Sequence, residues 1–335
     1  LFVMSLADGS KRYLTEGFDY NAGNVRWADD STLLFLSPIR ATIQLCSVSL
    51  SGGPVRVITS GAHDLNAFSA AGGRVVAEMT TLGSPTELFD VNPSDGAMTR
   101  ITNTNAEIYE RIRMGKVEER WVETTDGKRM LVWVVLPPDF DPSKKYPALL
   151  YCQGGPQSVV SQFWSYRWNL QLMAAQGYVV VAPNRRGLPS FGQEWLDQIS
   201  GDYSGQNIRD YLSAIDDVSA EPWVDRDRLG CVGASYGGYS VFFLAGNHQK
   251  RFKAFIAHCG MFNFESMYGA TEELWFPNND LGGPYWSDSP VARRSYANSP
   301  HKFVKNWDTP ILIFSGQRDF RIPYTESLQA FTAAR

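Results

Sequence analysis

Residues Leu229–Ser240 read LGCVGASYGGYS, and this stretch decides how the rest of the chain is interpreted. A short apolar run leads to Ser235, which stands between Gly233 and Gly237, and the residues after it regain a helical pattern. The glycines lack the Cβ atoms that would clash where a strand turns abruptly into a helix. Such a turn would lift the Ser235 hydroxyl out of a sheet, so we expect it to act as a nucleophile.

Length and composition restrict the class of protein. A chain of 335 residues exceeds the usual size of a single hydrophobic core, which favours two domains. A net charge of -4 gives no general attraction to phosphate backbones, so we expect no nucleic-acid partner. No apolar run reaches the roughly 18 residues that cross a bilayer. The four cysteines lack metal-ligand spacing and read as buried free thiols, and we predict neither a metal nor a cofactor.

The first hundred residues repeat a unit of strand, Gly-containing turn and strand. The copies begin at Val3, Ser47 and Leu88, and their equivalent positions 5, 49 and 91 are 44 and 42 residues apart. This period suits a four-stranded blade of a β-propeller. A closed propeller needs roughly 170 to 340 residues at this period, so residues 1–115 are expected to form the last blades of a truncated propeller. An unrelated β-sandwich segment is the alternative.

After residue 115 the pattern changes to alternating strands and helices. Apolar runs such as YPALLYC, GYVVVAPN and TPILIFSG read as buried strands, and segments such as NIRDYLSAIDDV read as helices between them. This alternation predicts an α/β fold over residues 116–335, with a mainly parallel sheet and helices on both of its faces.

Three other residues fit the chemistry of a serine nucleophile. The backbone N–H of Tyr236, directly after the nucleophile, is the expected first donor to an oxyanion. Gln153 follows the buried strand LLYC and is predicted to supply the second donor, by its side-chain amide or its backbone N–H, although an ordinary strand-exit turn is the alternative. Asp319 follows the strand TPILIFSG, where its carboxylate would orient a histidine.

The histidine itself has no obvious position in the chain. A helix and a strand between acid and histidine require roughly 20 to 30 residues, and 16 residues follow Asp319. The four histidines all precede Asp319, and they are His63, His248, His258 and His301. His258 ends a strand beside the nucleophile strand, where packing is the preferred interpretation. We therefore expect the catalytic histidine beyond Arg335, and the 335-residue chain alone to be inactive.

Six segments of the chain carry a family resemblance. They are QGGP from Gln153, APNRRGLPSFGQEW from Ala182, AEPWVDRDRLGCVGASYGGY from Ala220, FKAFIAHCGMFNF from Phe252, LGGPYW from Leu281 and TPILIFSGQRDFRIP from Thr309. With them the chain resembles the prolyl oligopeptidase family of serine peptidases, in which a β-propeller precedes an α/β-hydrolase domain. The segments are most similar to the bacterial dipeptidyl peptidase and acylaminoacyl peptidase branches, which carry histidine or tyrosine where this chain has Gln153.

The resemblance implies a serine exopeptidase that removes short, dipeptide-like units from the amino termini of peptides through an acyl-enzyme. Acylaminoacyl peptidase, prolyl endopeptidase and carboxylesterase activities are the alternatives within serine chemistry. An inactive hydrolase-like module that binds a protein partner is the alternative of another class. Similarity to bacterial dipeptidyl peptidases favours a secreted or periplasmic location, and a homodimer is compatible with the sequence.

The resemblance also implies a pocket for the residue before the scissile bond. Its predicted lining follows the strand FKAFIAHCG and comprises Met261, Phe262, Phe264, Met267 and Tyr268, together with Tyr236 and Ile322. An aromatic cluster suits an apolar side chain or proline, and ordinary packing under a loop is the alternative. Arg186 matches a family signature in which it would form a structural ion pair or contact the substrate.

Overall fold

The computed structural model describes all residues from Leu1 to Arg335, and these divide into two compact units. Unit 1 comprises Leu1–Met114, Ser161–Gln171 and Pro189–Gln193. Unit 2 comprises Gly115–Val160, Leu172–Leu188 and Glu194–Arg335. Two short segments that follow residue 115 in the sequence therefore belong to unit 1.

Unit 1 is built from short strands. They are β1 (Phe2–Met4), β2 (Lys11–Tyr13), β3 (Gly23–Asp29), β4 (Thr32–Ile39), β5 (Thr42–Ser49), β6 (Arg56–Val57), β7 (Asp64–Ala71), β8 (Arg74–Thr81), β9 (Ser84–Val91) and β10 (Met98–Arg100). One short helix, α1 (Ala106–Tyr109), follows them. Strands β1 and β2 form a separate hairpin, and the sheet of the other eight strands does not close into a barrel.

The eight strands form two antiparallel meanders, β3 to β6 and β7 to β10, which are joined by a single parallel bridge between Ile43 and Asp64. The second strands of the two meanders start at 32 and 74, the third at 42 and 84, and the fourth at 56 and 98. Equivalent strands are thus 42 residues apart. The three repeats seen in the sequence are the hairpins β1–β2, β5–β6 and β9–β10.

Strand β4 has apolar side chains on both faces, and both faces are buried. Leu34 and Leu36 pack in one cluster with Leu45, whereas Leu33 and Phe35 pack in a second cluster with Cys46 and Val48. Successive side chains of a strand point to opposite faces, so the continuous run LLFL places β4 between two layers of core.

A buried carboxylate lies where the two meanders meet. Asp64 is 1% exposed and accepts hydrogen bonds from the N–H groups of Ile43, at 3.1 Å, and Gln162, at 3.2 Å. The Ser161 hydroxyl donates to its other oxygen at 2.5 Å. Burial raises the pKa of Asp64 to about 6. Asp64 thereby attaches the segment Ser161–Gln171 to the strands of unit 1.

The sheet of unit 2 has seven strands. They are β11 (Val117–Glu123), β12 (Arg129–Val135), β13 (Tyr146–Cys152), β14 (Val179–Pro183), β15 (Val224–Ala234), β16 (Ala254–His258) and β17 (Ile311–Phe314). Their order in space is β11-β12-β14-β13-β15-β16-β17. Strands β11 and β12 are antiparallel to their neighbours, and the other five strands run parallel. The sheet is therefore mixed and mainly parallel.

The helices after α1 occupy the intervals between these strands. They are α2 (Leu170–Ala175), α3 (Gln193–Asp197), α4 (Gln206–Ser219), α5 (Tyr236–Ala245), α6 (Phe264–Ala270), α7 (Trp275–Asp280), α8 (Pro290–Ala297) and α9 (Tyr324–Ala334), with a 3-10 helix at Pro300–Asn306. None of the helices has the length and apolar composition that a membrane span requires.

The central and outer strands of this sheet differ in burial. All five residues of β14 are buried, and every residue of helix α5 is buried as well. Strand β17 lies at the edge of the sheet, and its Leu312 and Phe314 side chains are about half exposed. The centre of the sheet is thus fully packed, whereas β17 has packing on one side.

Candidate active site

Ser235 occupies the turn between β15 and α5. Its backbone has a φ of +59° and a ψ of -121°, a conformation that a residue with a Cβ atom rarely adopts. The Ser235 N–H donates to the carbonyl oxygen of His258, at the end of β16, at 3.0 Å. The Ser235 carbonyl accepts the N–H of Tyr239, in the first turn of α5, at 2.9 Å. A neighbouring strand and the following helix together hold the turn.

Close backbone packing explains the glycines around this turn. A Cβ atom on Gly237 would lie 2.0 Å from the carbonyl oxygen of Cys152, at the end of β13. A Cβ atom on Gly238 would lie 2.6 Å from the carbonyl oxygen of His258. Helix α5 can therefore begin against the ends of both neighbouring strands only because these positions have no side chain.

The segment after β13 also approaches Ser235 closely. A Cβ atom on Gly154 would lie 2.9 Å from the Ala234 carbonyl oxygen and 3.6 Å from the Ser235 Cβ atom. Gly155 and Pro156 line the same cavity as Ser235. The segment therefore comes closest to the turn at a residue that has no side chain.

The two residues predicted to bind an oxyanion differ in the hydrogen-bond donors that they offer. Tyr236 is the first residue of α5, so its N–H is among the groups that have no acceptor within the helix. The Gln153 amide oxygen accepts the Tyr151 hydroxyl at 2.7 Å, and its amide nitrogen donates to the Ser158 hydroxyl at 3.2 Å. Gln153 does not line the Ser235 cavity. Its side chain is thus engaged within its own segment.

The fully buried guanidinium of Arg185 contacts two of the segments that surround Ser235. Arg185 donates to the carbonyl oxygen of Pro156 at 3.1 Å and to the hydroxyl of Tyr211 at 3.0 Å. Its guanidinium carbon lies 4.6 Å from the ring centroid of Tyr236, a cation–π distance. Arg185 therefore contacts both the segment after β13 and Tyr236, the residue after Ser235.

Arg186, which the sequence analysis singled out, forms a structural ion pair. It is fully buried and makes two hydrogen bonds of 2.9 Å to the carboxylate of Asp210, which is also fully buried. It also donates to Asp126 at 2.8 Å, and this interaction holds the pKa of Asp126 far below its usual range. Arg186 does not line the Ser235 cavity.

Asp319 lies in the loop between β17 and α9. One of its carboxylate oxygens accepts the N–H groups of Arg321, at 3.1 Å, and Ile322, at 3.0 Å. This local turn fixes the carboxylate at the carboxyl end of the parallel strands, the same end of the sheet at which Ser235 lies. Its side chain is partly exposed.

The histidines are in different surroundings. His248 accepts the Phe252 N–H at 3.1 Å and lies 3.3 Å from Asp308, and His301 lies 2.9 Å from the Ser299 hydroxyl. The remaining two are in separate parts of the fold. His63 is buried in unit 1, where burial lowers its pKa to about 4, and His258 packs its ring against Phe314 at a centroid distance of 6.4 Å.

A cavity of about 320 Å³ opens beside Ser235. Three residues of the predicted pocket line it, namely Tyr236, Met261 and Ile322. Four do not, and they are Phe262, Phe264, Met267 and Tyr268. The first three of these are buried in ring and helix packing, and the Tyr268 hydroxyl donates to Asn278 at 2.9 Å. These four side chains therefore lie away from the cavity, in the interior or at the surface.

The rest of the cavity lining did not emerge from the sequence. It comes from Gln157, Tyr203, Arg321, the loop before α7 and α7 itself, and the residues of the last two are Glu273, Trp275, Phe276 and Asp280. The segment EELWFPNND has no periodic apolar pattern that would place it over a sheet. Only its proximity to Ser235 in the fold assigns it to the site. The structure contains no group of three or more His, Cys, Asp or Glu side chains arranged to hold a metal ion.

Known proteins resemble this chain in sequence and fold. A sequence profile of the prolyl oligopeptidase family matches residues 164–335. The dipeptidyl-peptidase 5 of Porphyromonas gingivalis is 55% identical over 337 residues, which cover 100% of this chain and 49% of that protein. The dipeptidyl-peptidase 5 of Porphyromonas endodontalis is 50% identical over 91% of this chain and 44% of its own length. The chain therefore spans about half the length of these curated relatives.

A solved structure provides the comparison of folds. The acylaminoacyl peptidase of Pyrococcus horikoshii superposes with a TM-score of 0.86 at 24% identity, over 98% of this chain and 51% of that chain. Unit 2 accordingly carries the α/β-hydrolase fold, with Ser235 at its strand-to-helix turn. The family profile extends over more than half of the residues, and it includes both Ser235 and Asp319. This chain belongs to the prolyl oligopeptidase family.

Proposed function

We propose that the chain is the catalytic part of a serine dipeptidyl peptidase, which releases dipeptides from the amino termini of short peptides. The observation that carries the proposal is the placement of Ser235 in a strained turn beside a cavity of about 320 Å³. Strain of this kind is kept where a side chain must be held in one orientation for chemistry. The names of relatives that are 50% and 55% identical support the dipeptidyl specificity.

In the proposed reaction the Ser235 hydroxyl oxygen attacks the carbonyl carbon of the second residue, and a base accepts its proton. The N–H of Tyr236 donates to the resulting oxyanion. The second donor comes from the backbone of Gly154 and Gly155, because this segment lies so close to the turn that a Cβ atom on Gly154 would be 3.6 Å from the Ser235 Cβ atom. The protonated base then donates to the leaving amine, and the dipeptide remains as an ester on Ser235 until water releases it.

The base in this proposal is an imidazole outside residues 1–335, oriented by Asp319. Two observations support it. His248 and His301 already contact Asp308 and Ser299 respectively. His258 packs its ring against Phe314, and His63 is buried within unit 1. Strand β17, which leads to Asp319, has a free edge at which a further strand could pair. The 335-residue chain alone is therefore expected to be inactive.

Unit 1 in this proposal supplies the last blades of a β-propeller. Two four-stranded antiparallel meanders with a 42-residue repeat support this assignment. The hairpin β1–β2 would be the outer half of a preceding blade, because its position matches β5–β6 and β9–β10 in the repeat. The predicted domains are residues 1–115 and 116–335. The compact units differ from them mainly because Ser161–Gln171 and Pro189–Gln193 belong to unit 1.

The test uses the full-length protein and two reagents. A fluorophosphonate probe should label Ser235, and Ser235→Ala should abolish the labelling. A dipeptidyl p-nitroanilide should be hydrolysed faster than a simple p-nitrophenyl ester relative to the uncatalysed rates. Labelling without hydrolysis of any dipeptidyl anilide would favour an esterase, and the absence of labelling would contradict the proposed nucleophile.

A further inference from the structure

Two buried arginines follow strand β14, and their charges are balanced differently. Arg186 has the carboxylates of Asp210 and Asp126 beside its guanidinium, so its charge is compensated. Arg185 is equally buried, yet none of the hydrogen bonds of its guanidinium ends on a carboxylate. A charge that is buried without an opposite charge opposes folding. The chain therefore keeps at Arg185 a positive charge that the stability of the fold does not explain.

The groups that contact the Arg185 guanidinium are all neutral. It donates to the Tyr211 hydroxyl at 3.0 Å, and its central carbon lies 5.6 Å and 4.6 Å from the ring centroids of Tyr211 and Tyr236. Burial raises the pKa of both tyrosines above the usual value, so their hydroxyls stay protonated. Its other acceptors are the backbone carbonyl oxygens of Arg186 at 2.7 Å, Pro156 at 3.1 Å and Gln153 at 3.5 Å. Dipoles and aromatic rings thus surround the charge, and no negative charge cancels it.

Arg185 fixes the segment that supplies one oxyanion donor in the proposed reaction. Its bonds to the carbonyl oxygens of Gln153 and Pro156 lie at the two ends of that segment. The Tyr211 hydroxyl adds a hydrogen bond to the Gln153 carbonyl at 3.4 Å. In a trans peptide unit the C=O and the next N–H point in opposite directions. Because the Gln153 carbonyl is directed at Arg185, the Gly154 N–H is turned away from Arg185 and held there.

The residue that supplies the other oxyanion donor also packs against Arg185. The Tyr236 ring meets Arg185 on one side, and its edge-to-face contact with the Tyr203 ring has a centroid distance of 4.8 Å. Its hydroxyl donates to the Tyr203 carbonyl oxygen at 3.2 Å. Tyr236 and Pro156, both in contact with Arg185, line the cavity beside Ser235. Since Arg185 itself is fully buried, little solvent screens its charge from this cavity.

We infer that Arg185 is a positioning residue for the oxyanion: it orients both backbone donors, and its unpaired charge stabilises the negative oxygen that forms on the substrate. The inference rests on the proposed serine chemistry of Ser235. The substrate carbonyl is neutral before attack and gains little from a nearby positive charge. The oxygen of the tetrahedral intermediate is negative and gains much more, so the charge favours the transition state over the bound substrate.

The experiment uses the full-length protein, three variants, one substrate and one inhibitor. Arg185→Met removes the charge and keeps the length of the side chain, whereas Arg185→Lys keeps the charge. The matched control is Arg120→Met, which removes a guanidinium of unit 2 that Asp217 and Glu221 already balance. The substrate is alanyl-alanyl p-nitroanilide, for which kcat and KM are measured. The inhibitor is alanyl-boroalanine, whose boron becomes a tetrahedral anion on binding a serine oxygen and so resembles the intermediate.

We expect Arg185→Met to lower kcat by about 10²- to 10³-fold, the usual loss when one oxyanion donor is removed, and to leave KM within about threefold. The inhibition constant of the boronic acid should rise by a similar factor, because the same charge stabilises the anionic adduct. Arg185→Lys should recover at least about a tenth of the normal kcat, since the charge remains. Arg120→Met should leave all three quantities within about twofold, as expected for a pair near the surface.

Three outcomes would overturn the inference. One is a kcat of Arg185→Met within about threefold of normal, counted per Ser235 that a fluorophosphonate labels to completion, so that misfolded protein does not register as a loss. Another is a higher KM with an unchanged kcat, which would mean a contact with the substrate before reaction. The third is an equal loss in Arg185→Met and Arg185→Lys with an unchanged inhibition constant, which would mean a purely structural role.

Two further measurements cover the remaining cases. If Arg185→Met does not fold, Arg185→Lys and Tyr211→Phe decide, because both keep the charge and disturb the bonds to Gln153. Each should retain at least about a tenth of the normal kcat, and a loss above about a hundredfold in either, or no loss in both, would contradict the inference. If the unmodified protein hydrolyses no dipeptidyl anilide, the proposed peptidase function fails. The rate constant of fluorophosphonate labelling then tests Arg185 by itself, and it should fall at least about tenfold in Arg185→Met, whereas an unchanged rate constant would reject the role.

Discussion

The two ends of the proposed catalytic apparatus are built differently, although both follow strands of the same sheet. Ser235 follows β15, which has a strand on each side, and the helix after it is completely buried. Asp319 follows β17, an edge strand with half-exposed Leu312 and Phe314 side chains. The turn at Ser235 is held by two neighbouring strands and a buried helix, and Asp319 is held by a local turn.

This difference shows that two residues of one site can be held by different kinds of contact. The strained backbone of Ser235 needs a surrounding structure that prevents its relaxation, and the contacts of Gly237 and Gly238 with β13 and β16 provide it. The Asp319 carboxylate is fixed by the N–H groups of Arg321 and Ile322, three residues away at most. Its position is therefore set within its own loop, at the edge of the sheet.

Replacement of the nucleophile should have the largest effect. Ser235→Ala in the full-length protein should lower turnover of a dipeptidyl anilide by about 10⁵- to 10⁶-fold, because no other group can form the acyl-enzyme. The melting temperature should stay the same or rise, because removal of a partly exposed hydroxyl costs little packing. Turnover within tenfold of the unmodified protein would contradict the assignment of Ser235.

The acid should come next in effect. Asp319→Asn should lower turnover by up to about 10⁴-fold, because an amide cannot hold the imidazole in its reactive tautomer or stabilise the imidazolium. Since the amide oxygen can still accept the two backbone N–H groups, circular dichroism should be unchanged. A normal rate would show that Asp319 has no role in the reaction.

Matched phenylalanines on adjacent strands can test the contrast in packing. Phe255 on β16 is 1% exposed, and Phe255→Ala should cost about 3–5 kcal/mol of unfolding free energy in the 335-residue chain. Phe314 on β17 is 49% exposed, and Phe314→Ala should cost less than half as much there. Denaturant titration measures both. An equal cost in the full-length protein would mean that another segment covers β17.

Two glycines provide the finest test of the comparison. Gly237→Ala should cost about 1–3 kcal/mol, because the new methyl group would overlap the Cys152 carbonyl. Gly316→Ala, in the loop before Asp319, should cost no more than about 0.5 kcal/mol, because its methyl group would meet no atom within 4 Å. Equal costs at the two positions would show that the acid loop is as tightly packed as the nucleophile turn.

The sequence was most informative where structure is local. The apolar run, glycines and helical pattern around Ser235 predict a strand, a turn and a helix, and the structure contains them in that order. The three hairpin repeats of unit 1 were visible for the same reason, since each is set by its own turn residues. The catalytic roles of Ser235, Tyr236 and Asp319 stay predictions.

Contacts between distant segments could not be read from the sequence. The lining of the cavity by Glu273 and Trp275 depends on how the segment after α6 folds back towards Ser235, and no local pattern specifies that path. Phe262 and Phe264 are predicted as pocket residues because they follow the strand beside Ser235. Packing against helix α5 buries both side chains away from the cavity. Arg185 was overlooked because a buried arginine is recognisable only by its partners.

The buried carboxyl of Asp64 makes the folding of unit 1 a proton-uptake reaction in weak acid. Its pKa is about 6 in the folded protein and ordinarily 3.8, so between these values the folded form holds a proton that the unfolded form has released. This contribution to stability is complete below the lower value and is lost as the pH rises through the upper one. The calorimetric enthalpy of unfolding near pH 5 should therefore change with the ionisation enthalpy of the buffer, and Asp64→Asn should remove that part of the buffer dependence.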